Sequence, residues 1–93
     1  MGKVKNLKNT ADKKCKCSGT EGKWIEHWRL EKGNRTKICR NDDCNNEATL
    51  GAHVKKVGVD DHRHFIVPLC GECNGLNEDF SIAYRHLVPA YCI

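Results

Sequence analysis

The chemistry-bearing residues of this 93-residue chain are its seven cysteines and five histidines. Cys39 and Cys44 enclose four residues of an Asn/Asp-rich stretch, and Cys70 and Cys73 enclose two. A zinc ion takes four soft ligands at tetrahedral angles, with Zn–S distances of about 2.3 Å. Two close cysteines on a loop supply one edge of such a tetrahedron, and a second pair supplies the other. A single CxxC would fit a buried core thiol equally well. Two such pairs separated by residues 45–69 point to a bound metal, with zinc expected and an iron–sulfur cluster the competing occupant.

Cys15, Cys17 and Cys92 remain, one pair near the start of the chain and one residue near its end. If the apolar end folds back, Cys92 meets the KCKC segment, and His27 is the nearest candidate for a fourth ligand. Two readings stay open. One is a second zinc held by Cys15, Cys17, His27 and Cys92. The other is three thiols without metal and a histidine that hydrogen-bonds within a tryptophan cluster.

These residues need elements to hold them. Trp24 and Trp28 lie four apart on one helical face and Gly33 is a natural stop, which predicts a helix over 23–32. NRTKICRNDDCNNEA predicts turns around the first cysteine pair. Leu50, Ala52 and Val54 alternate with Gly51, His53 and Lys55, a strand signal; HFIVPL predicts a second strand running into Cys70, and the two form a hairpin. After Cys73, NGLNEDFSIAY reads as a helical turn or two. RHLVPAYCI is too apolar to stay in water and is expected to pack against the rest. The expected fold is a small α+β zinc-stapled domain of treble-clef or ββα-metal type, with an N-terminal helix and a β-hairpin. Residues 15–93 form the single domain, preceded by a disordered basic tail over 1–14.

Composition agrees with a thin, stapled core: 39% hydrophobic, 30% charged and 6% aromatic. The opening residues carry no apolar run of the secretory type, and the odd cysteine count suits a disulfide framework poorly. A reduced, cytoplasmic protein is expected, without a membrane span and monomeric. The net charge of +4 owes much to Lys3, Lys5, Lys8, Lys13, Lys14 and Lys16. Such a run suits DNA or RNA phosphates or an acidic protein partner, and suits a solvated terminus better still.

GAHV followed by FIVPLCGECN resembles the His-Me finger (HNH) endonucleases, in the branch built on a treble-clef zinc site, over roughly residues 38–80. The resemblance implies that His53 stands where those enzymes carry the general base, and Asn74 where they carry a ligand of the catalytic metal, Mg2+ or Mn2+. The acidic or histidine ligand common before the base is replaced here by Ala52. The position of the family's middle Asn falls near Phe65, with His64 alongside. The implied member is therefore degenerate in its chemistry. The arrangement of C-x-C, W-x-x-H-W and GAHV…IVPLC is also similar to small uncharacterised bacterial or phage zinc proteins.

Three functions follow. The first is a non-catalytic zinc module that contacts nucleic acid or a protein, using Lys55, Lys56, Arg63, Arg85 and the N-terminal lysines. The second is a metal-dependent HNH-type nuclease with His53 as base, Asn74 as ligand and a residue of the Asp60–His64 loop as a substitute ligand. In the first reading His53 is a structural hydrogen-bonding residue and Asp60–His64 a solvated hairpin tip. The third is a redox protein, which a CxC without a helix pattern beside it supports poorly.

Overall fold

The computed structural model describes residues 2–7, 15, 19–33 and 38–91. Among them, five strands form one antiparallel sheet in the order β4-β1-β2-β3-β5. In chain order the elements are β1 (Gly2–Asn6), α1 (Trp24–Lys32), β2 (Leu50–Lys56), β3 (Phe65–Leu69), α2 (Gly71–Asn74), β4 (Phe80–Ile82), a 3-10 turn (Tyr84–His86) and β5 (Val88–Pro89). The molecule is a small α+β domain.

The β2–β3 hairpin is the centre of the sheet, as expected, with Ala52 opposite Val67 and His53 opposite Ile66. Alternation along these strands divides the apolar residues between two faces. Ala52, Val54, Phe65, Val67 and Leu69 join Val4, Phe80 and Ile82 in the main core, together with Cys39, Cys70 and Cys73. Ile66 and Val88 face the other way and pack against Trp28 of α1. The sheet thus carries the cysteine cluster on one face and α1 on the other.

Helix α1 falls where the tryptophan spacing places it. Gly33 ends it in the left-handed conformation (φ 61°), its N–H donating to the Arg29 carbonyl. Trp28 is fully buried, and its indole N–H donates to the His86 carbonyl at 2.6 Å. Gly51 lets α1 approach β2: a Cβ there would lie 2.5 Å from Ile25 N and from the Trp24 carbonyl carbon.

Pro68 sits in β3 without breaking the sheet. Its side away from β2 carries no strand at that point, and its carbonyl accepts from the Arg40 N–H at 3.0 Å. The apolar end returns as expected, with Val88 and Pro89 pairing to Ile66 and Phe65.

Two expectations fail. Gly2–Asn6 belongs to the stretch read as a disordered tail, yet it forms β1, paired with β2 on one side and β4 on the other. Only Val4 marks it as a strand, fully buried amid polar neighbours. The remainder of that stretch, 8–14, lies outside the described residues. The helix expected after Cys73 stops at Asn74, and Phe80–Ile82 is a strand instead. Phe80 and Ile82 are buried while Ser81 is half-buried, a two-residue period that β1 stabilises by pairing.

Candidate metal centre

Cys39 and Cys44 come from the loop before β2, and Cys70 and Cys73 from the start of α2. Their four Sγ atoms lie within 4.8 Å of one another. A tetrahedral zinc–thiolate site sets its sulfurs about 3.8 Å apart, from Zn–S distances near 2.3 Å. Cys44 Sγ and Cys70 Sγ stand at 3.8 Å. The donor set and its spacing can therefore hold a metal ion such as zinc.

The loop is shaped by its own backbone. Cys39 N–H donates to the Asn46 carbonyl at 2.9 Å and Cys44 N–H to the Asn41 carbonyl at 3.0 Å, folding the loop into a knuckle. Asn41 Oδ1 accepts from the Asp43 N–H at 3.1 Å, an Asx turn that explains the Asn/Asp richness. At the other pair, Asn74 N–H donates to the Cys70 carbonyl at 3.0 Å, closing the first turn of α2.

Donors also point at the sulfurs. Cys73 N–H reaches Cys70 Sγ at 3.4 Å, Asn46 N–H reaches Cys44 Sγ at 3.4 Å, and Asn41 Nδ2 reaches Cys73 Sγ at 3.4 Å. Four thiolates around a divalent ion leave a surplus of negative charge, and such donors reduce it. Burial pushes the Cys39 and Cys73 thiols up from 9.0. Burial acts on Cys70 as well, but there the Cys73 N–H and the neighbouring side chains outweigh it, holding the thiol down at about 7. Without metal, then, the cluster keeps protons that an ion must displace.

The other expected residues are placed as follows. His53 is 7% exposed and edge-on to the Trp24 ring, with centroids 4.7 Å apart. Asn74 is exposed at the last position of α2. In the hairpin loop, Asp61 accepts a two-pronged contact from Arg63 (Nε 3.0 Å, Nη2 2.9 Å) and a further bond from Lys56 Nζ at 3.0 Å. The Arg63 and Lys56 cations hold its carboxyl well below the usual range. Both cations also lie over the Phe65 ring, at 5.1 and 4.9 Å. Asp60 and His62 meet at 3.2 Å in solvent. Cys15 and His27 come together on the α1 side of the sheet, while Cys17 and Cys92 lie outside the described residues.

Asn41 and Asn46 escaped sequence reasoning as partners of the sulfurs, although their position beside Cys39 and Cys44 was the available signal. Also unforeseen is the pairing of Lys5 directly across from Lys55, which sets like charges side by side. Both line an open cleft of about 570 Å³, together with Lys56, His62 and His64, and with Asp61 and Asp79. A second group of cations, Arg40, Arg85 and Lys32, surrounds His86, whose pKa is lowered by burial and then by those charges. Among the described residues, no helix is long and apolar enough to cross a membrane. No family model, no curated protein and no solved structure matches the chain, so its own residues carry the functional reading.

Proposed function

We propose that the protein is a non-catalytic zinc module of treble-clef type that contacts nucleic-acid phosphates. The observation that carries the zinc assignment is the four-sulfur cluster, formed between a knuckle loop and the first turn of α2. Loop, hairpin and helix start follow one another in treble-clef order. Four buried or half-buried thiols with N–H donors aimed at them make a closed structural site, with no side left for a reacting water.

Support for the binding role comes from Lys5 and Lys55. A cross-strand pair of like charges disfavours the sheet, and an anion laid along it relieves the repulsion. Lys3 points to the same face as Lys5 by alternation, extending the cationic stripe along β1. Arg63 and Lys56 contribute less, because Asp61 occupies both.

The nuclease alternative draws on His53 as base, Asn74 as ligand and an added Mg2+ or Mn2+. A base must reach the water it activates, whereas His53 lies beneath Trp24 with little exposure. Of the substitute acids, Asp61 is already neutralised by two cations.

One experiment tests both readings. Zinc-loaded protein is titrated onto a short DNA duplex and onto RNA at increasing salt, beside the Lys5→Glu/Lys55→Glu double variant. Binding should weaken steeply with salt in the parent and be largely lost in the variant. Binding that ignores salt and both charge reversals would overturn the phosphate reading and leave the protein-partner one. The same samples, incubated with plasmid and Mg2+ or Mn2+, should leave it intact. Cutting that disappears in His53→Ala would overturn the non-catalytic reading.

A further inference from the structure

Cys15 and His27 meet on the face of the sheet opposite the four-cysteine cluster. Cys15 Sγ lies 3.5 Å from His27 Nδ1, and both residues are buried, at 4% and 1% exposure. Zn–S near 2.3 Å and Zn–N near 2.0–2.1 Å, at the tetrahedral angle, separate two such donor atoms by about 3.5 Å. We infer that Cys15 and His27 are two ligands of a second, structural zinc ion.

The other ring nitrogen of His27 supports this. His27 Nε2 stands 2.9 Å from the Pro89 carbonyl, which can only accept. That contact puts the proton on Nε2 and turns the Nδ1 lone pair toward Cys15 Sγ. A metal-bound histidine is usually oriented this way, its second nitrogen donating to a carbonyl or carboxylate. The Trp24 ring, in a T-shaped arrangement with centroids 5.2 Å apart, further restricts the imidazole.

The thiol is equally well held. Cys15 N–H donates to the Gly22 carbonyl at 3.2 Å, and Lys23 N–H to the Thr20 carbonyl at 2.9 Å. Gly19, Glu21 and Gly22 all take positive φ, giving the tight turn that brings Cys15 back over α1. Cys15, α1 and β5 converge here from three separate parts of the chain. A metal at this point would join Cys15 to α1, whose His27 also holds the carbonyl of Pro89 in β5, a strand that makes only two residue pairs with β3.

The inference is made on the two donors that the structure describes, Cys15 and His27.

The competing account is a thiol–imidazole hydrogen bond with no metal. It is separated by metal content, measured on full-length protein purified with zinc and freed of loosely bound ions. The parent should hold about two zinc ions per chain, Cys15→Ser and His27→Ala about one, and His27→Cys about two again. Because a weakened variant can fail to fold, the parent is also loaded with cobalt. Its absorption should report two kinds of site, one with four sulfurs and one with mixed sulfur and nitrogen ligands. One zinc per chain in the parent, unchanged in Cys15→Ser, with a pure four-sulfur cobalt spectrum, would overturn the inference. Failure of the first zinc site is read separately, as a parent cobalt spectrum that lacks the four-sulfur component.

Discussion

Asn41 touches the cluster that it does not ligate: its Nδ2 lies 3.4 Å from Cys73 Sγ while its Oδ1 holds the Asp43 N–H. One side chain therefore shapes the knuckle loop and offsets charge on a sulfur of the opposite cysteine pair. Asn41 is 7% exposed, so water cannot replace that donor. Asn41→Leu keeps the volume and removes both contacts. Zinc affinity should fall about 10- to 100-fold, in the range found for outer-shell partners of metals, with the fold retained in excess zinc. A chelator-competition titration checks this, and an unchanged affinity would mean the contact has no bearing on the metal.

Metal removal should unfold the domain. Cys39, Cys70 and Cys73 are counted in the main core, with Cys44 packed against it. The loss of a structural zinc worth about 10–16 kcal/mol exceeds what a small domain can spare. Treatment with a strong chelator, or Cys73→Ser, should abolish near-ultraviolet circular dichroism and dispersed amide resonances. Restored zinc should bring both back in the parent protein. A chelated protein that keeps its native spectrum would remove the zinc staple from the account of stability.

Zinc affinity should rise with pH. Cys39 and Cys73 are protonated near neutral pH, because the ordinary thiol value is 9.0 and burial in the fold raises both further. Binding must then expel at least those two protons, and higher pH favours their release. Between about pH 6 and about pH 8, affinity should climb by roughly 100-fold per pH unit or more. Proton release measured by calorimetry in buffers of differing ionisation enthalpy provides the check. A flat profile would mean that metal binding displaces no thiol protons.

Gly51 is required by proximity rather than by backbone angle. The atoms that its missing Cβ would strike, Ile25 N and the Trp24 carbonyl carbon, are both main-chain and cannot rotate away. Gly51→Ala must push α1 off β2, at a cost of about 1–3 kcal/mol by the usual measure of overpacking. The four-cysteine site should keep its zinc, because that cluster lies on the other face of the sheet. Urea unfolding of the zinc-loaded variant measures the loss, and full stability would show that α1 is more loosely seated than the contact distances imply.

What the sequence determined by itself was local. Cys39–Cys44 and Cys70–Cys73 announced a metal cluster because ligand spacing is a property of a few adjacent residues. Trp24, Trp28 and Gly33 announced α1, and the alternation of Leu50, Ala52 and Val54 announced β2, because each signal lies inside one window of chain. Tertiary structure decided whatever depended on a distant partner. Gly2–Asn6 has one inward apolar residue, and it is a strand because β2 and β4 offer hydrogen bonds on both sides. Phe80–Ile82 becomes a strand by pairing with β1. The cover over His53 comes from Trp24, and the capture of Asp61 by Lys56 and Arg63 depends on how the hairpin loop closes. In each case the stabilising contact joins residues that spacing alone does not relate, and only packing of the whole chain brings them together.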